Sequence, residues 1–122
     1  MKERRIGAKN RQEFRRGVNQ FNAEEFFDAH ESWEAIWLKA AEPDKTFLQG
    51  ITQVTAAFHH YVRGNREGAK SLLQKGLRKL EQFPADYRGV KVGKLREEAG
   101  RWLQIIPQKD NRKGPRPKIE WV

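Results

Sequence analysis

The chain has 122 residues, no cysteine, and a net charge of +9 from 25 Lys/Arg against 16 Asp/Glu. That length suits one domain with a real core, and the lack of cysteine excludes a disulfide framework and any thiolate zinc site. The start, MKERRIGAKNRQEFRR, is basic but has no apolar segment of the secretory kind, and no run of about 18 apolar residues could cross a bilayer.

A cytoplasmic protein with no membrane partner is therefore expected. The charge is unevenly spread. Residues 1–16 hold seven Lys/Arg and two Glu, residues 108–122 hold five Lys/Arg and two acids, and the span between carries thirteen bases against twelve acids. The body is nearly neutral and the ends are basic. This divides the chain into a flexible basic arm over residues 1–8, a helical domain over 9–106 and an extended basic tail over 107–122.

In chain order, the first predicted helix covers residues 9–21, with Phe14, Val18 and Phe21 at i, i+4 and i+7. Asn22 then has the character of an N-cap, with Glu25 placed to complete a capping box and Phe21 and Phe26 placed as a hydrophobic staple. On that reading the second helix opens at Ala23 and runs to Ala40. EPDKT breaks the chain and starts the third helix, with Pro43 suited to a first turn. From Thr46 to Val62 there are seventeen residues without Asp, Glu, Lys or Arg. In so charged a chain this predicts a central helix covered by its neighbours. Gly64 suits the left-handed residue that ends a helix, and Asn65 suits the next N-cap.

The fourth predicted helix, residues 66–82, places Ala69, Leu72, Leu73, Gly76, Leu77 and Leu80 on one face. A helix-interior glycine costs about 1 kcal/mol against alanine, so Gly76 in that stripe predicts close helix contact. FPADYRGVKVG reads as a turn-rich linker. A fifth helix over residues 92–105 carries Leu95, Ala99, Trp102 and Leu103, with Ile106 just beyond. No β-branched run alternates strictly, so no strand is expected. The tail has Ile119 and Trp121 as anchors onto the body or a partner. The fold class is all-α: a compact bundle of about five helices with a central buried third helix and extended basic termini.

The second helix contains FFDAHESWEAIW. At about 100° per residue, Phe26, Trp33 and Trp37 lie within roughly 60° of His30 on one side, and Glu34 lies roughly 40° to the other. This puts His30 and Glu34 in the buried arc and Glu31 at its margin. A buried ionised carboxylate is too costly alone, so Glu34 is expected to be paired, hydrogen-bonded, protonated or metal-bound. The i, i+4 spacing brings His30 within its reach. On the third helix Gln49, Gln53 and His60 share a polar stripe that could meet it. H-E-x-x-E departs from the metalloprotease H-E-x-x-H, because Glu34 stands where the second histidine ligand would be.

Four readings of the cluster stay open: a structural polar network, a small-ligand or active-site pocket, a metal site, and a partly exposed face. In the second, His30, Glu31 and Glu34 are the candidate catalytic residues. Glu34 would act as acid or base with His30 as its partner, and Trp37, Gln49, Gln53 and His60 would be candidate ligand-binding residues. No nucleophile, phosphate loop or cofactor motif is present, so no cofactor and no metal is assigned, and whether the chain is an enzyme stays open. The rival readings are a protein-interaction or homo-oligomerising module and nucleic-acid binding through the basic arms.

FNAEEFFDAHESWEAIW, FLQGITQVTAAFHHYVRGNREGAKSLL and FPADYRGVKVGKL together resemble the bacterial and archaeal family known as domain of unknown function 309. The matching positions include Phe21, Asn22, Phe26, Phe27, Ala29, His30, Glu31, Glu34 and Trp37. They continue with Gln49, Gly50, Ile51, Gln53, Ala56, Ala57, Gly64, Asn65, Gly68 and Ala69. The resemblance covers residues 14–106. It implies a small all-helical bundle and no particular activity.

Overall fold

The computed structural model describes residues 8–108 and 114–122. The expected arm over residues 1–8, Ala8 apart, lies outside the described residues, as do residues 109–113 of the expected tail. Among the described residues five helices follow one another: α1 (Ala8–Asn22), α2 (Phe26–Trp37), α3 (Asp44–Val62), α4 (Arg66–Leu80) and α5 (Val92–Ile105). The chain is an all-α bundle in which α3 packs most extensively against α4 and α2.

Close approach fixes two of the helix pairs. Gly17 of α1 lies directly beneath the Trp33 indole of α2, leaving no room for a Cβ. The Trp33 Nε1–H donates to the Phe14 carbonyl at 3.2 Å, so even this fully buried ring has its polar atom satisfied. Gly76 of α4 sits where a Cβ would meet the Gly50 carbonyl oxygen and Val54 Cγ2 of α3 at 2.8 Å. The close contact expected from its place in the stripe is therefore the α3/α4 crossing. Gly64 takes the left-handed conformation at φ 87°, and the Asn65 side chain accepts from the Gly68 amide at 3.0 Å, which caps α4 as expected.

Asn22 does not cap the second helix. α1 runs through it, α2 begins only at Phe26, and the Glu25 side chain makes no capping bond. Its side-chain amide instead binds both backbone groups of Ile119, donating to the carbonyl at 2.9 Å and accepting from the amide at 2.8 Å. The staple pair does meet, with the Phe21 and Phe26 rings edge-on at 5.5 Å. Glu42 takes the capping role at α3, its carboxylate accepting from the Thr46 amide at 3.0 Å and the Thr46 hydroxyl at 2.7 Å.

The linker read as strandless holds a small hairpin, β1 (Asp86–Tyr87) and β2 (Val90–Lys91), paired antiparallel. Arg88 and Gly89 both have positive φ, 52° and 80°, which is the geometry of a primed two-residue turn. Strands of two residues are too short to show alternation in sequence. Residues 114–122 lie against the body: Ile119 is in the core, Val90 pairs with Trp121, and the Val122 amide donates to the Gly89 carbonyl at 2.8 Å. The Arg116 guanidinium lies over Trp102 at 5.1 Å and Tyr61 at 5.6 Å.

Candidate functional site

The buried side of α2 consists of Phe26, Ala29, Trp33 and Ile36. On the helical wheel its centre lies roughly 80° from His30 and away from Glu34. The expected burial of His30 and Glu34 is therefore corrected. Ala29 and Ile36 are buried alongside the aromatic residues and turn the core-facing direction away from Glu34. His30 stands at the edge, with 27% of its side chain exposed, while Glu31 is 57% exposed and Glu34 is half-buried. Glu34 needs no special pairing there, because water still reaches it.

Successive turns nevertheless bring these three side chains together. One donor atom from each of His30, Glu31 and Glu34 lies within 4.8 Å of the others. His30 Nδ1 is 3.6 Å from Glu31 Oε2, an ion pair only when the imidazole is protonated. His30 Nδ1 and Trp37 Nε1 are both shielded from solvent and have no hydrogen-bond partner. A polar atom shut away without a partner costs about 1–3 kcal/mol, so both groups have unused bonding capacity. The outer ridge of α2 carries two apolar side chains besides the acids, Phe27 at 55% and Leu38 at 61% exposure.

The stripe on α3 is engaged elsewhere. Gln53 Oε1 accepts from Lys79 Nζ of α4 at 3.0 Å. His60 Nδ1 meets the Asn65 side-chain amide at 3.3 Å, beside the start of α4, and Gln49 is half-buried. His59 of α3 also meets α2, its ring lying 5.5 Å from Phe27 and 5.8 Å from His60. Burial foremost, then the charges of Arg63, His60 and His30, hold the His59 imidazole below its ordinary value of 6.5. All three histidines of the chain thus lie along the α2/α3 seam and the start of α4.

A second polar centre escaped the sequence reading. Asp44, at the first turn of α3, is buried at 4% exposure. It accepts from the Tyr87 hydroxyl at 2.6 Å and from Arg88 Nε and Nη2 at 2.8 and 2.7 Å. This bidentate pair ties the hairpin turn to α3. Burial, followed by the Asp44 hydrogen bond, pushes the Tyr87 phenol up to about 12. The only sequence signal was an arginine within a turn-forming stretch. Its acid partner stands 44 residues away, so spacing gave no hint of the pair.

Among the described residues no helix is long and apolar enough to cross a membrane. The model of the family described as Domain of unknown function (DUF309) matches residues 14–72. An uncharacterised protein of Aquifex aeolicus (strain VF5) is 27% identical over 77 residues, which is 62% of this chain and 23% of that protein. The chain therefore spans about a quarter of the length of this curated relative. The family match takes in α2, α3 and the whole His30/Glu31/Glu34 ledge.

Proposed function

We propose that the His30/Glu31/Glu34 ledge is the binding site of this domain, and that it takes a small ligand offering positive charge or hydrogen-bond donors. One observation carries the reading: three donor atoms converge within 4.8 Å beside a sheltered His30 Nδ1 that has no hydrogen-bond partner. Ionised carboxylates only accept, and a neutral imidazole accepts at one nitrogen, so the ledge is an acceptor surface. Binding is favoured over acid/base chemistry because Glu34 is half-buried at the helix edge rather than enclosed in an apolar pocket.

The test is amide NMR of the whole chain against a panel of amines, guanidines and metal ions. Ligand-dependent shifts are expected to centre on residues 30–37 and to disappear in Glu34→Gln and His30→Ala variants that keep their helical circular dichroism. A panel that moves no resonance on α2 sinks the proposal.

A further inference from the structure

The groove that holds residues 114–122 is built to read a main chain. We infer that it is a recognition surface for an extended peptide in which an arginine is followed, three residues later, by an aliphatic side chain. Residues 114–122 are the occupant that this chain supplies from its own sequence. The inference uses none of the ledge residues.

Most of what the body grips in this segment is backbone. The Trp102 Nε1–H donates to the Pro115 carbonyl at 3.2 Å, and the Lys118 amide donates to Glu98 Oε1 at 3.0 Å. The Asn22 side chain takes both backbone groups of Ile119. The Lys91 amide donates to the Glu120 carbonyl at 2.9 Å, and the Val122 amide donates to the Gly89 carbonyl. The segment therefore lies antiparallel against β2 at Val90 and Trp121. Six backbone groups between Pro115 and Val122 are bonded in this way. Main-chain bonds of this kind recognise an extended strand whatever its sequence, as in strand addition to a sheet edge. Pro115 and Pro117 fix their own φ angles and favour extended neighbours, which lowers the ordering cost when such a segment docks.

Two side chains supply selectivity. Arg116 enters a cage of Trp102 and Tyr61, with Glu24 Oε1 3.9 Å from its Nε, and a guanidinium over aromatic faces is held more firmly than an ammonium would be. Ile119 enters the core. The charges on either side of Ile119 are matched by the groove. Lys118 Nζ donates to the Asn22 carbonyl at 2.6 Å, and Glu120 pairs with Lys91 and Lys94.

The segment does not fill its groove completely. Arg116 Nε is shielded from solvent and makes no hydrogen bond. A cavity of about 240 Å³ stays open beside it, lined by Trp102 and Ile105 of α5 and by Gly114 and Pro115. Gly114 brings no side chain to that space. A Cβ there would stand 3.3 Å from Ile105 Cδ1, the free end of a side chain that can shift by a few tenths of an ångström. A foreign peptide can therefore make contacts that the chain's own segment lacks, and this separates a recognition surface from a finished core seam.

The test uses the full chain and a fluorescently labelled synthetic peptide, GPRPKIEWV, followed by anisotropy. In the wild-type chain the tethered segment competes at an effective concentration on the order of millimolar, so the free peptide should bind weakly. Ile119→Ala weakens the tethered segment and leaves the groove intact. It should tighten binding of the free peptide at least about tenfold. Arg116→Ala should act in the same direction, and it carries the test if Ile119→Ala loses its helical circular dichroism. Peptides with alanine at the place of Arg116 or Ile119 should each bind more than about tenfold more weakly. The bound peptide should also shift the Trp102 indole resonance. The inference is overturned if the folded variants bind the peptide no better than wild type, or if a scrambled peptide binds equally well. Loss of the helical signal in both variants would make the segment an indispensable part of the core and would also overturn it. So would a folded Ile119→Ala chain that dimerises on size-exclusion chromatography yet refuses the free peptide, which would assign the groove to a second copy.

Discussion

Asp44 shows how a single buried charge is made tolerable. Three donors meet its two oxygens, two of them from one guanidinium, and a buried carboxylate satisfied in this way avoids the cost of isolation. The same contact leaves a titration signature. An unfolded chain ionises Tyr87 near its ordinary value of 10, whereas the folded chain holds the proton until about 12. Above the first value the unfolded state sheds a proton that the native state keeps, so stability should fall as pH rises through that window. Urea midpoints measured at increasing alkaline pH should show this drop, and Tyr87→Phe should remove it. At neutral pH the same substitution should cost about 1 kcal/mol for the lost hydrogen bond. An absorbance titration assigning both tyrosines to the ordinary range would contradict the account.

At the level of elements, α3 and α4 cross where Gly50 and Gly76 let backbone meet backbone and side chain. Gly76→Ala should therefore destabilise by about 1–3 kcal/mol through overpacking, even though alanine is the better helix former by about 1 kcal/mol. Gly100 in α5 is the control. A Cβ there meets nothing within 4 Å, so Gly100→Ala should stabilise by up to about 1 kcal/mol. Chemical denaturation of the two variants reads both signs, and equal signs would count against the crossing.

The helices were legible because each carries its own apolar period, as with Phe14, Val18 and Phe21. The two-residue strands carry no period at all. Asn22 looked like a cap because a cap and a long-range clamp use the same side-chain amide, and sequence spacing reports only the local use. The candidate site was legible as a set of residues and misread in orientation. Small Ala29 and aliphatic Ile36 decide which way α2 faces, and they were outweighed by three conspicuous aromatics.

For the whole molecule, the segment 114–122 belongs to the fold as much as any helix. Ile119→Ala should cost about 2–4 kcal/mol for the core volume it gives up. Asn22→Ala should cost about 1–3 kcal/mol, because it strands both backbone groups of Ile119. Urea unfolding followed by far-ultraviolet dichroism should show both losses with the helical signal of the native baseline unchanged. A variant with wild-type stability would mean that the segment only rests on the surface.

The Asn22–Ile119 clamp joins positions 97 residues apart, whereas most contacts that build the bundle are made between neighbouring helices. Closing so long a loop has a high entropic cost and gains nothing until the surface it lands on exists. The clamp should then be among the last contacts to form in folding and the first to open under native conditions. Native-state hydrogen exchange should find the Ile119 and Val122 amides exchanging through a small opening, well below the free energy that protects the middle of α3.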